Sequence, residues 1–140
     1  MHLSLPTLRV SIVGSRKASS KGLTDASSIT RILIEKEVTI VSGLAEGIDT
    51  AAHQTAIETG GRTIAVLGTP LNKTYPRKNF KLQQEIMRHH LAISQFQIGH
   101  HTTRKDFVDR NRTMALISDA TIIVEAQDTS GSRHQGWEAL

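Results

Sequence analysis

Cysteine is absent from the 140-residue chain, which excludes disulfides, thiolate nucleophiles and cysteine-ligated metals. No apolar run approaches the roughly 18 residues that a membrane-spanning helix needs. The amino terminus Met1-His2-Leu3-Ser4-Leu5-Pro6 lacks a basic region followed by an apolar stretch, the pattern of a signal peptide. A cytoplasmic protein without a membrane partner is the expectation. Proline is scarce, at three residues, and no low-complexity tract or internal repeat is present. With 38% hydrophobic and 21% charged residues the chain belongs with folded rather than disordered proteins. Its length fits one domain, and its formal charge of +4 is compatible with nucleic acid without proving it.

What is there is an alternation. Short β-branched runs at Leu8–Gly14, Val38–Ser42, Thr63–Leu67, Leu91–Phe96 and Ala120–Ala126 read as strands. Between them, helical spacing covers Gly22–Lys36, Ile48–Thr59, Phe80–His89 and Phe107–Leu116, while Gly99–Lys105 reads as loop. Such a rhythm predicts an α/β fold with an open, mainly parallel sheet and helices on both faces. Ligands of such sheets lie outside the carboxyl ends of the strands, where Gly14, Gly43 and Gly68 fall. The chain stops apparently inside a helix begun at Gly131-Ser132, so a single domain, either truncated or completed by a partner, is expected.

Two glycine-bearing strand ends carry the first functional signal. Gly14-Ser15-Arg16 is neither a P-loop nor a dinucleotide fingerprint; it offers backbone N–H groups, a hydroxyl and a guanidinium suited to phosphate. Ser42-Gly43-Leu44-Ala45-Glu46-Gly47-Ile48-Asp49 is a second cradle, whose glycines let a ligand approach the backbone ahead of a helix. Asp49 and His53, four apart, either form a catalytic pair or orient the loop and fill the core. Arg104, Phe107, Arg110, Asn111 and Arg112 combine cation and aromatic as a base-stacking platform would, although an Asp106–Arg110 pair would equally make a solvated helix. Ser130-Gly131-Ser132, with Arg133 nearby, is a third phosphate-facing turn, and Glu125 either holds a turn or contacts a ribose or base edge. The adjacent histidines His89-His90 and His100-His101 diverge around a helix and lack a matching carboxylate cluster, so no metal or other cofactor is expected.

In their order these blocks resemble the Rossmann-like domain of the DNA-processing protein A family, DprA or Smf. The matching stretches are Ile12–Arg16, Ser42–Asp49 with Ala52-His53, Gly61–Gly68 followed by Tyr75-Pro76 and Asn79, Phe107 with Arg110-Asn111-Arg112, and Val124-Glu125-Ala126 with Ser130-Gly131-Ser132. The resemblance implies single-stranded DNA binding, delivery of that strand to a RecA-like recombinase in natural transformation, a homodimer and no enzymatic turnover. Carried onto this sequence, it implies a DNA pocket with Arg16, Arg104, Phe107 and Arg110, and with Lys73 near the Tyr75-Pro76 turn. This chain departs from the family at Gln95-Phe96-Gln97, where a carboxylate is usual, and at Arg133–Glu138, where Leu and a Thr-Ala pair are usual. A chain lacking the flanking accessory and winged-helix-like domains of many members is the expectation. The alternative is an enzyme or sensor for a nucleotide or nucleoside monophosphate, of the lysine-decarboxylase-like type, with Glu46, Asp49 and Glu125 as acids or bases. Its Pro-Gly-Gly-x-Gly-Thr segment is absent. A protein-binding scaffold acting through Trp137 is a third reading.

Overall fold

The computed structural model describes residues 7–126. Among them, strands and helices follow in the order β1 (Arg9–Gly14), α1 (Ser20–Glu35), β2 (Thr39–Ser42), α2 (Ile48–Glu58), β3 (Thr63–Leu67), α3 (Phe80–His89), β4 (Leu91–Ser94), α4 (Arg104–Ile117) and β5 (Ala120–Val124). One 3-10 turn, Arg77–Asn79, leads into α3. The sheet order is β4-β3-β2-β1-β5 and every pairing is parallel. The chain therefore steps outward from β1 to β4 and then crosses back, through α4, to the other side of β1. Such a reversal opens a crevice at the carboxyl ends of the strands.

Neighbouring strand residues face opposite ways, and the core divides accordingly. Ile12 and Ile40 pack with Ala26 of α1 and with Ile48, Ala52 and Ala56 of α2. Ala65 and Leu67 pack with Ile86 of α3 on the same side. Val13, Val41 and Val66, each one residue along from a member of the first set, pack on Met114 of α4. Helices thus cover both faces, and burial on both sides accounts for the nearly unbroken apolar strands. Fully burying one such isoleucine is worth about 2 kcal/mol. No helix among the described residues is long and apolar enough to cross a membrane.

The element boundaries differ from the sequence pattern where side chains cap the ends. Helix α1 begins at Ser20 because the Ser19 hydroxyl accepts the Gly22 N–H at 3.1 Å. Helix α4 begins at Arg104, not Phe107, because the Asp106 carboxylate accepts the Thr103 N–H at 2.8 Å. Strand β4 stops at Ser94, whose hydroxyl donates to the Thr69 carbonyl at 2.6 Å and accepts the Phe96 N–H at 3.1 Å, turning the chain.

Candidate nucleic-acid interface

The two glycine turns expected to hold phosphate meet at the carboxyl end of the sheet. Gly47 has φ of 78°, and a Cβ there would run into the Ser15 carbonyl and lie 2.9 Å from that of Arg16. The Ser15 carbonyl accepts the Ile48 N–H at 3.4 Å, and the buried Ser15 hydroxyl accepts the Lys17 N–H at 3.1 Å. The turn after β1 thus rests on the start of α2, leaving the Arg16 and Lys17 side chains exposed.

The second turn is turned inward. Gly43 lies between the Arg110 guanidinium and the Asp49 carboxylate, and a Cβ there would sit 2.7 Å from one and 2.8 Å from the other. Asp49 accepts the N–H groups of Gly43 at 3.1 Å and Ala45 at 3.4 Å. Arg110 donates to the carbonyls of Gly43 and Val66, the latter at 3.0 Å, and through Nε to Asn111 Oδ1 at 2.9 Å. Asn79 donates to the Leu44 carbonyl at 2.9 Å, and Thr50 to the Ala45 carbonyl at 2.6 Å. The groups of this turn are engaged within the protein. The Gly43 amide faces Asp49. The Ser42 hydroxyl is buried and donates to the Ile12 carbonyl at 2.6 Å. Arg110 and Asn111 are buried, and Arg110 lies among the residues that line the cleft.

Electrostatics follow from that burial. Removal from water pushes the Asp49 carboxyl up, against the field of Arg110 and the bonds from Ala45 and Gly43. Burial lowers Arg110 to about 10, with Asp49 opposing the shift and Arg16 adding to it, so the group remains a cation at neutral pH. His53 is pushed down to about 3, chiefly by burial, and is neutral. Its Nδ1 lies 2.7 Å from Thr63 Oγ1, whereas Asp49 serves the loop amides. This geometry favours loop orientation and core filling over a catalytic Asp49–His53 pair.

Above this frame the Phe107 ring lies on the end of β3, where a Cβ on Gly68 would be 2.7 Å from ring Cε1. The guanidinium carbons of Arg16 and Arg110 lie 5.9 and 5.6 Å from the ring centroid, within cation–π range. Tyr75, 57% exposed, tilts against the same ring at a centroid distance of 5.3 Å. The result is a cleft of about 190 Å³. Arg16 and Lys17 stand at its exposed rim, Gly43 and Arg110 form its base, and Glu46, Tyr75, Pro76 and Phe107 contribute walls. Sequence reasoning passed over Lys17 and Tyr75 as site residues. The signal for Tyr75 was its place beside Pro76 in the irregular segment between β3 and α3.

Other candidates lie elsewhere. Lys73, Arg104 and Arg112 are exposed and do not line the cleft. Asp106 pairs with His100 Nε2 at 2.7 Å, not with Arg110. Burial opposes the charge on Asp106, but the bonds from Thr103 and His100 outweigh it and hold its carboxyl below the usual range. Glu125 accepts the Ser19 N–H at 2.6 Å and the Ser19 hydroxyl at 2.5 Å, which lowers its pKa and fixes the start of α1. It therefore holds a turn. Ser130, Gly131, Ser132, Arg133 and Trp137 lie outside the described residues.

A parallel sheet whose strand ends carry a cationic, aromatic cleft defines a Rossmann-like binding domain. The family model for DNA recombination-mediator protein A matches residues 3–140, and the chain belongs to that family, DprA/Smf. It is 44% identical over 126 residues to the DNA processing protein DprA of Streptococcus pneumoniae, covering 89% of this chain and 44% of that relative. Protein Smf of Synechocystis is 41% identical over 123 residues, covering 88% of this chain and 31% of that protein. The chain thus spans less than half the length of these curated relatives. The S. pneumoniae DprA crystal structure superposes with a TM-score of 0.90 at 41% identity, covering 95% of this chain and 47% of that one. A Helicobacter pylori DprA structure, described for its single-stranded DNA binding mode, gives 0.87 at 31% identity, covering 94% and 60%. A molybdenum cofactor binding protein from Rippkaea orientalis, at 19% identity and a TM-score of 0.64, shares the fold alone.

Proposed function

We propose that this chain is a non-catalytic, cytoplasmic single-stranded DNA-binding module that acts in DNA processing and recombination. The observation that carries the reading is the Phe107 ring held against Arg110 below and reached by the exposed Arg16 at the mouth of the cleft. In this mechanism Arg16 and Lys17 take backbone phosphate at the rim while a base slides onto Phe107 beside Tyr75. Arg110 acts as a positioning residue, holding the ring and the Gly43 turn in place. Lys73, Arg104 and Arg112, outside the cleft, add to the positive field that draws the strand in. The single-stranded DNA binding described for the H. pylori relative supports this assignment.

As a family member the chain would deliver its strand to a RecA-like recombinase and act as a homodimer, which light scattering with and without DNA tests. The function itself is tested by fluorescence anisotropy against single strands, duplex and mononucleotides, with a hydrolysis assay in parallel. Tighter binding to single strands than to the other two, falling steeply with salt, is expected. Failure to bind single strands, or mononucleotide binding with release of ribose phosphate, would overturn it in favour of a nucleotide enzyme.

A further inference from the structure

A second groove, of about 330 Å³, lies between α1 and α2 and adjoins the cleft. Glu46 lines the cleft while Gly47 and Lys78 line the groove, so the 3.3 Å ion pair between Lys78 Nζ and Glu46 Oε2 spans the boundary between them. Both helices start at the carboxyl edge of the parallel sheet, which places Leu23 and Gly47 at the end next to the cleft and Arg31 and Glu58 at the far end. Leu23, Ser27 and Arg31, four apart, share one face of α1, so the groove follows that helix for roughly 12 Å.

Its lining holds donors that the protein leaves unused. Arg31 is exposed and forms no ion pair with another described residue. Lys78, also exposed, carries three N–H donors, and Glu46 is its one ion-pair partner among the described residues. Ser27 Oγ accepts the Thr55 hydroxyl at 3.0 Å, which leaves its own O–H to donate. No aromatic residue lines the groove, and Glu58 is its only carboxylate. Donors without a ring face grip phosphate and do not read bases. We infer that the groove is a second contact on the same single strand, taking backbone phosphate between Lys78 and Arg31 once the strand has passed Glu46, an inference that rests on the proposed single-strand binding. The cleft stacks a base, and the groove beyond it holds backbone regardless of sequence.

The test titrates thymine oligonucleotides of about 4 to about 16 nucleotides, over a series of salt concentrations, with the wild-type chain, Arg31→Ala, Glu58→Gln and Arg16→Ala. Arg31 and Glu58 are both exposed on helix surfaces, so neither substitution opens the core. The shortest strands fill only the cleft and should bind wild type, Arg31→Ala and Glu58→Gln alike. On the longest, Arg31→Ala should lose about fivefold in affinity and flatten the salt slope by roughly 0.7, whereas Glu58→Gln should gain affinity because a charge that repels phosphate is gone. Arg16→Ala, at the cleft, should weaken binding at every length. A loss in Arg31→Ala that is equal at every length is the work of a distant field and overturns the inference. So does no loss at any length, or an unchanged long-strand affinity in Glu58→Gln. In each of these cases the loss in Arg16→Ala keeps single-strand binding in place. No binding of any strand by the wild type overturns both.

Discussion

The turns after β1 and β2 look alike in sequence, each a glycine at a strand end followed by a helix, yet they are used in opposite ways. The first leaves Arg16 and Lys17 in solvent at the lip of the cleft. The second closes on itself, with Asp49, Arg110, Asn79 and Thr50 engaging its backbone groups. A glycine at a strand end announces that something comes close to the backbone; here, at Gly43, the visitor is the protein's own Arg110. One turn presents charge, and the other fixes the floor and the ring against which that charge works.

If that division holds, substitutions in the inward turn should destabilise the protein and substitutions at the lip should not. Arg110→Ala strips the carbonyls of Gly43 and Val66 of a donor and leaves the Asp49 carboxyl without its nearby cation. A loss of about 3 kcal/mol is expected in urea unfolding. Comparable stability to wild type would mean that Arg110 is not structural and would blur the contrast between the two turns. Gly43→Ala forces a methyl group to 2.7 Å from Arg110 and 2.8 Å from Asp49, and should cost about 2 kcal/mol by the same assay.

A third effect sharpens the picture of the frame behind the inward turn. Folded His53 stays neutral until about pH 3, whereas the unfolded chain protonates it near 6.5, so between these values the unfolded state binds the extra proton. Its contribution is therefore complete above pH 6.5 and is lost as the pH falls, by up to about 1.4 kcal/mol per pH unit. The raised Asp49 carboxyl slopes the other way, so the quantity to measure is the wild-type profile minus that of His53→Gln between pH 7 and 4. A flat difference would show that His53 becomes charged without unfolding.

Much of this was legible in the sequence. The β-branched runs that end in glycine marked the inner strands, because strands buried on both faces carry little else. Arg16 and Phe107 stood out by residue type alone. The burial of Arg110 was not legible, since the Gly43 carbonyl it grips is far away in the chain and only the crossing of α4 over β3 and β1 brings them together. Tyr75 escaped notice for a similar reason, its approach to Phe107 depending on the path of the turn through Pro76. The early start of α4 was written in the Thr103 and Asp106 spacing but masked by the glycine and histidines before it. Strand β4, an edge strand with Leu91 half exposed, gave the weakest apolar signal and the least certain boundary.

The most direct test of the whole account compares wild type with Arg16→Ala at the lip, measuring single-strand affinity over a series of salt concentrations. Stability should stay within about 0.5 kcal/mol of wild type. Affinity should fall for all single strands, and the slope of log affinity against log salt should flatten by roughly 0.7 for the phosphate contact removed. An unchanged slope with unchanged affinity would remove Arg16 from the interface and contradict the placement of DNA in this cleft.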